Sequence, residues 1–584
     1  MALGYLGIDT SLTGRRWIGP DAAVERHAAA FAQNTQHPPA LCNVLARLGV
    51  NDTEIDTYLS PQLRDLLPDP RSLKDMESAA ARIVQAALGK QRVAVFADYD
   101  VDGGTSAAQL INWYRHFGVS CTLYVPDRID EGYGPNPTAM AELATKHDLI
   151  ICVDCGTLSH DAIAAGRSAD IIILDHHLGG ETLPDCLAVV NPNRQDETGD
   201  LSHLCAAAVV FLTLVEARRV LRANGAGDGP DLMSYLDLVG LATVADVAPL
   251  IGVNRAFVRQ GLRVMARRER PGIVALCDLA RVDTAPTAYH LGFVLGPRIN
   301  AGGRIGQADL GARLLASATP SEAQALAQRL DTLNSERREV ENHVRDAALA
   351  QAEARRLDAP LVWAAGDGWH PGVVGIVASR LKEATNRPAI VIGFDGDDGK
   401  GSGRSVTGID LGAQIQKLAA EGHLTKGGGH KMAAGLSLTR AQLEPAMARL
   451  AELMARQGAG ELGPKDLRLD GILMPAAAQV DLVALLEQAG PFGAGAAGPR
   501  FVMPEVKIQF AKRVGSSHLK LRIGDGVGAS VDGICFGAFD TELGYALENH
   551  GGRLVHVAGR LDINTWQGRQ SVQLRIEDAA FAGE

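Results

Sequence analysis

Val93-Ala-Val-Phe-Ala-Asp98-Tyr-Asp100-Val-Asp102-Gly103 passes from a continuous apolar run straight into carboxylates at alternate positions. Gly104 and a helix-like Thr105-Ser106-Ala107-Ala108 come next. In an extended backbone, positions two apart project from one face, so Asp98, Asp100 and Asp102 are expected to converge. Converging carboxylates repel one another unless cations lie between them, which makes metal binding the first hypothesis.

The pattern recurs. Leu149-Ile-Ile-Cys-Val-Asp154-Cys-Gly156 and Ile171-Ile-Ile-Leu-Asp175-His176-His177 are apolar runs that also end in candidate ligands. A fourth carboxylate, Asp246, follows the apolar stretch Leu238-Val-Gly-Leu-Ala-Thr-Val-Ala245. In a parallel α/β sheet functional groups gather at the carboxyl ends of strands, where these residues are expected. Oxygen donors with one or two imidazoles favour Mn²⁺ or Mg²⁺ over a thiolate zinc site.

Composition narrows the class. A chain of 584 residues with 46% hydrophobic content forms several domains with substantial cores. No apolar run approaches membrane-spanning length. Arg15-Arg16 is followed by Pro20, Asp21, Glu25 and Arg26, where an export signal needs an apolar region, so a cytoplasmic location is expected. The eight scattered cysteines do not resemble a disulfide framework, and Cys152-x-x-Cys155 reads as structural because Cys152 falls inside an expected buried strand. A net charge of −11 argues against indiscriminate nucleic-acid binding, not against a nucleic-acid substrate.

Along the chain, residues 1–85 read as mainly helical. Residues 86–320 alternate strands with Ala-rich helical patterns, as in a doubly wound parallel sheet. Residues 321–358, free of Gly and Pro, read as one connecting helix opened by Pro320-Ser321. Residues 359–455 form a smaller α/β unit. Short strands from 462 to 584 (Arg500-Phe-Val-Met, Glu505-Val-Lys-Ile, Leu519-Lys-Leu-Arg-Ile, Leu554-Val-His-Val) suggest an OB-like β-barrel. In the smaller unit, Gly401-Ser402-Gly403-Arg404-Ser405 offers flexible amides, hydroxyls and a guanidinium fork for an anion. Gly427-Gly-Gly-His430 adds an imidazole.

These residues carry a resemblance. Asp98-Tyr-Asp-Val-Asp-Gly103, Val153-Asp-Cys-Gly156, Asp175-His-His177 and Thr243-Val-Ala-Asp-Val247 resemble the four motifs of the DHH phosphoesterase superfamily. Gly296-Pro-Arg-Ile-Asn-Ala-Gly-Gly-Arg-Ile305, Asn334-Ser-Glu-Arg-Arg338, Gly366-Asp-Gly-Trp-His-Pro-Gly-Val373, the Gly401–Ser405 segment and Gly428-Gly-His-Lys-Met-Ala-Ala-Gly435 narrow it to the RecJ family within that superfamily. The likeness spans nearly the whole chain. Ala97 stands where that family commonly has Gly, Gly303 where a second Ala is usual, and Ala496-Ala497 where Asn-Pro is usual. The first two are small-for-small exchanges expected to spare activity.

The resemblance implies a DHH domain, a DHH-associated domain and an OB domain around a central groove. It implies a metal-dependent, single-strand-specific 5′→3′ exodeoxyribonuclease that releases 5′-mononucleotides in DNA repair and recombination. Two Mn²⁺ or Mg²⁺ ions would be held by Asp98, Asp100, Asp102, Asp154, His176 and Asp246, with Asp154 bridging. Asp154, His177 and Arg304 would be catalytic. Arg128, Asn300, Arg304, Ser402, Arg404 and His430 would hold the strand and its terminal phosphate. Implied partners are single-stranded DNA, a single-strand-binding protein and a recombination helicase, with no membrane. The alternatives are a phosphodiesterase for oligoribonucleotides or cyclic dinucleotides, and a non-catalytic replication scaffold. Filled ligand positions weigh against the scaffold.

Overall fold

A computed structural model describes every residue except 1–2, 129–130, 462, 464–465, 540, 567 and 584. It divides into two compact units, residues 1–62 with 463–584, and residues 63–462. The helical region read over residues 1–85 is therefore shared between them. The boundary read at 462 falls outside the described residues. No helix among the described residues is long and apolar enough to cross a membrane.

The amino-terminal part of the first unit contains strand β1 (Trp17–Ile18) and helices α1 (Ala22–Asn34) and α2 (Pro39–Arg47). Helix α3 (Met76–Leu88) begins the regular structure of the second unit that bears on the site.

Five strands follow: β2 (Val93–Ala97), β3 (Cys121–Tyr124), β4 (Leu149–Val153), β5 (Asp170–Leu174) and β6 (Ala188–Val190). They pair in parallel in the order β3-β2-β4-β5-β6. The buried apolar runs of β2, β4, β5 and β6 are what a sheet covered on both faces requires, while the edge strand β3 is only partly buried. On one face Val93, Val95, Ile151 and Val153 pack on Ile83 of α3, Leu110 of α4 (Val101–His116) and Phe211. On the other, Phe96, Ile150, Cys152 and Ile173 pack on Met140 and Leu143 of α5 (Pro137–Lys146). The sheet is doubly wound, and Cys152 and Cys155 are buried and unbridged.

Strand alternation stops at Val190, earlier than the reading to residue 320. From α6 (Ala206–Ala223) onward this part of the chain is helical, including α7 (Leu236–Ala245), α8 (Gly252–Met265) and α9 (Gly296–Ile305). The Leu238–Ala245 stretch is thus a helix, not a strand. Eight consecutive residues from Leu236 to Thr243 are buried, so the period-3.6 pattern that separates helix from strand is missing.

Helix α10 (Pro320–Arg355) runs 36 residues, about 54 Å. Ala323, Ala327, Leu330 and Leu333 belong to one core with Ile299 and Leu314, whereas Val344, Ala348 and Ala352 belong to another. A single rigid element therefore joins the two halves of this unit, as its composition predicts.

Beyond it stand β7 (Val362–Asp367), α11 (Pro371–Thr385), β8 (Ala389–Asp395), β9 (Asp398–Arg404), α12 (Leu411–Ala420), β10 (Lys426–His430), β11 (Ala433–Thr439) and α13 (Leu443–Arg456). The sheet order is β10-β11-β9-β8-β7, with only β7 and β8 parallel. Gly401–Arg404 lies in β9, and Gly427–His430 in β10, so neither is a flexible loop. Their amides belong to sheet ladders. A Cβ on Gly401 would meet Ile392 at 2.8 Å and Leu436 at 2.9 Å, so this glycine serves packing.

In the first unit, β12 (Leu467–Arg468) pairs in parallel with β1. After β13 (Gly471–Ile472) come β14 (Phe501–Val514), β15 (His518–Gly524), β16 (Ser530–Cys535), β17 (Leu554–Trp566) and β18 (Arg569–Phe581). The order β14-β15-β16-β18-β17, with β17 returning to β14, closes a five-stranded barrel. The two strands read at Arg500–Met503 and Glu505–Ile508 are one strand, β14, with an irregular register between Met503 and Val506. Phe31, Leu41 and Leu45 of α1 and α2 share the core of Phe501, Leu519 and Leu574.

Candidate metal centre and phosphate receptor

The first acidic cluster converges through a strand–turn–helix, not an extended backbone. β2 ends at Ala97, leaving Asp98 buried just beyond it. Asp100 caps α4, its Oδ1 accepting from the amides of Asp102 at 2.9 Å and Gly103 at 3.2 Å. A Cβ on Gly103 would lie 2.3 Å from the Asp98 carbonyl oxygen, so the tight turn requires glycine. Asp102, in the first turn of α4, accepts from the amides of Ala206 and Ala207 at 2.7 and 2.8 Å. These amides open α6, whose dipole favours the carboxylate.

Asp154 follows β4 with φ +60°, a strained conformation for a residue other than glycine. Its Oδ1 lies 3.3 Å from His176 Nε2. His176 Nε2 is also 3.6 Å from Asp102, and its Nδ1 is 3.9 Å from Asp246. Asp246 is the C-cap of α7 and is followed by Val247, also at φ +60°. Asp246 thus lies beside His176 and Asp102, as the sequence reading expected, but at the end of a helix and not of a strand.

Ligand-capable atoms lie within 4.8 Å of one another in three sets: Asp98, Asp100 and Asp154; Asp102, His176 and Asp246; Asp154, His176 and His177. The Oδ1 atoms of Asp98 and Asp154 are buried and accept no hydrogen bond among the described residues. Burial and the neighbouring carboxylates push Asp98 and Asp154 well above the usual carboxyl range. Burial and the charges of Asp102 and Asp100 push Asp246 up to about 8. Orphaned oxygens, mutual repulsion and a hard donor set are the conditions a divalent cation relieves. The residues fit such ions, and Asp154 is common to two of the sets.

His177 differs from His176. Its Nδ1 is 2.8 Å from Asp175 Oδ1, and Asp175 also accepts from Thr157 Oγ1 at 2.6 Å and Thr157 N at 3.1 Å. Burial lowers the His177 pKa, but the Asp175 hydrogen bond and charge outweigh it and raise it to about 9. Burial would raise Asp175, but the same imidazole and the Thr157 bonds hold it below the ordinary carboxyl range. Tyr133 donates its hydroxyl to the Asp154 carbonyl at 3.0 Å. Asn191 and Asn193 donate to the carbonyls of His177 and His176 at 2.8 and 2.5 Å.

A second cluster is cationic. Arg404 donates to Ser402 Oγ at 2.9 Å and to the Gly403 carbonyl at 2.8 Å. Helix α11 comes close to both: a Cβ on Gly375 would lie 3.1 Å from Arg404 Nη2 and from Ser402 Oγ. A Cβ on Gly372 would lie 2.2 Å from the Arg304 carbonyl oxygen. Gly372 and Gly375 thus bring α9 and β9 against α11. Burial holds Arg304 and Arg404 below the ordinary guanidinium range, and Arg128 presses on both.

Asn300, one helical turn before Arg304, has a buried Oδ1 that accepts no hydrogen bond among the described residues. It lines a 510 Å³ cavity with Arg304, Arg337, Arg338, Glu341 and Arg380. His430 is exposed; it pairs across the sheet with Ala433, which in turn pairs with Arg404. It therefore sits about 10 Å from Arg404, two strand spacings away.

Family models match residues 92–243 as the DHH family N-terminal domain, 358–456 as the DHHA1 domain and 469–578 as the RecJ OB domain. The chain is 38% identical over 559 residues to the single-stranded-DNA-specific exonuclease RecJ of Dickeya dadantii (strain 3937), covering 92% of this chain and 96% of that protein. The chain belongs to the RecJ family. The structure of RecJ in complex with Mn²⁺ from Thermus thermophilus is similar at TM-score 0.78 and 30% identity, over 96% of this chain and 78% of that one. The corresponding Mg²⁺ complex gives TM-score 0.73 and 28% identity, over 96% and 77%.

Asn191 and Arg380 of this RecJ-family site escaped sequence reading, whereas Asp175 and the Arg337-Arg338 pair were singled out there without these roles. Asp175 and Asn191 support the histidine pair, and Arg337, Arg338 and Arg380 come to the cavity from α10 and α11. The Arg337-Arg338 pair was a visible signal; its alignment with Arg304 depends on the fold. Gly303 and Ala are not interchangeable here, because a Cβ at 303 would lie 2.3 Å from the Tyr99 ring.

Proposed function

We propose that the protein is a divalent-cation-dependent exonuclease that degrades single-stranded DNA 5′→3′ to 5′-mononucleotides, in DNA repair and recombination. The observation that carries this reading is the pairing, within residues 63–462, of the carboxylate–imidazole centre with a guanidinium–hydroxyl receptor. Dickeya RecJ is single-strand-specific by name, and Thermus RecJ has been seen with Mn²⁺ and with Mg²⁺.

Asp98, Asp100, Asp102, Asp154, His176 and Asp246 would hold two such ions. Bound there, the ions would supply an acidified water and stabilise charge on the attacked phosphate. Arg128, Arg304, Ser402 and Arg404 grip the terminal 5′-phosphate, with Asn300 and His430 along the strand. His177, oriented by its 2.8 Å hydrogen bond to Asp175, donates a hydrogen bond to the scissile phosphate. Holding the terminal phosphate beyond the centre restricts cleavage to the 5′ end. The barrel offers Lys507, Lys512, Lys520 and Arg522 with Phe510 for a backbone and base grip. A cytoplasmic location, a single-strand-binding protein and a recombination helicase complete the proposal.

The test is hydrolysis of one sequence as single strand, duplex and oligoribonucleotide, with Mn²⁺ and with EDTA. Cation-dependent loss of the DNA single strand alone is expected. Preference for short oligoribonucleotides would favour the smaller-substrate phosphodiesterase reading.

A further inference from the structure

Tyr99 stands between two ligand carboxylates, yet its ring faces away from their task. On one side it fills a notch in α9. A Cβ on Gly303 would lie 2.3 Å from Tyr99 Cδ2 and 2.6 Å from its Cβ and Cγ. Those atoms are fixed close to the backbone, so the ring could not swing aside cheaply. On the other side the guanidinium carbon of Arg128 rests 5.1 Å from the ring centroid.

Two further guanidiniums lie within reach of the charge of Arg128. The charge of Arg128 acts on Arg304, on Arg404 and on His370, which caps α11. Such groups repel before an anion arrives, so something must hold Arg128 in place. A carboxylate would hold it but would also neutralise it and compete with phosphate. The face of an aromatic ring attracts a cation without cancelling its charge.

We propose that Tyr99 is a positioning residue for the phosphate receptor: seated against Gly303, its ring carries Arg128 towards Arg304 and Arg404. The same turn that presents Asp98 and Asp100 to the cations thereby sets where the terminal phosphate is held. This inference rests on the reading of Arg128, Arg304 and Arg404 as a terminal-phosphate receptor.

The experiment measures KM and kcat for 5′-phosphoryl and 5′-hydroxyl single strands with Mn²⁺, using the full chain. The enzyme is expected to prefer the phosphoryl strand. Tyr99→Leu should cut that preference about two- to fivefold, as expected for loss of a cation–π contact to an exposed guanidinium, with the loss falling on KM for the phosphoryl strand. Tyr99→Phe, which keeps the ring, should restore it. Gly303→Ala should reproduce the Leu effect, which guards against misfolding of Tyr99→Leu, and Tyr99→Leu should add little in an Arg128→Ala background. Unchanged preference in both Tyr99→Leu and Gly303→Ala, or full additivity with Arg128→Ala, would overturn the inference while leaving the receptor intact. No preference in the unaltered enzyme, or its survival in Arg404→Ala, would overturn the receptor reading and this inference with it.

Discussion

Asp154 is the residue on which the centre depends most. It is buried, strained at φ +60°, has an Oδ1 that accepts no hydrogen bond among the described residues and belongs to two of the three ligand-capable sets. Asp154→Ala is expected to abolish hydrolysis while leaving the metal-free fold at least as stable, because it removes one of several repelling carboxylates. Activity assays and thermal unfolding without metal check both halves; near-normal turnover would contradict the shared-ligand role. Arg404→Lys should also be impaired, since an ammonium cannot reproduce the planar fork that reaches Ser402 and an anion together.

A pH dependence follows from Asp246, raised to about 8. Ligation needs the ionised form, so cation binding near neutral pH expels protons and tightens as pH rises towards 8. A carboxyl raised above its unfolded value of about 3.9 stabilises the metal-free fold below that pH. That stability is lost as pH rises through about 8. Calorimetric titration with Mn²⁺ in buffers of different ionisation heat should report proton release at pH 7. Identical heats in both buffers would refute the coupling.

At the scale of elements, α7 owes its position to a close helix contact. A Cβ on Gly261 of α8 would lie 2.3 Å from the Leu236 carbonyl oxygen and 3.1 Å from Gly240 Cα. Gly261→Ala should cost about 1–3 kcal/mol and weaken cation binding, because α7 carries Asp246 at its end. Thermal unfolding and Mn²⁺ titration check the pair of effects. This contact explains what was legible in the sequence and what was not. Strands β2, β4 and β5 announce themselves as apolar runs ending in candidate ligands, because both of their faces are buried. The apolar run of α7 carries the same signal for a different reason, since neighbouring helices surround it. Likewise Gly401 and Gly403 look like loop residues but lie in β9, where neighbouring side chains leave no room for a Cβ at 401. The residues that gather into the carboxylate–imidazole cluster were readable; packing partners far along the chain were not.

At the scale of the whole molecule, the two compact units make a specific truncation prediction. Removing 463–584 alone would strip Phe31, Leu41 and Leu45 of their core partners Phe501, Leu519 and Leu574. Such a fragment should aggregate, whereas residues 63–462 should stay folded and keep cation-dependent hydrolysis of short strands. Their KM for long strands should rise in a salt-dependent way if the barrel neutralises phosphates. Equal loss on short and long strands would assign the barrel a purely structural role.

The most direct measurement of the central claim follows one single strand labelled at either end, in Mn²⁺, with products resolved by length. The account predicts that a 5′ label leaves at once as a mononucleotide, while a 3′ label persists on strands that shorten from the other end. Early release of the 3′ label, or internal fragments carrying either label, would contradict it.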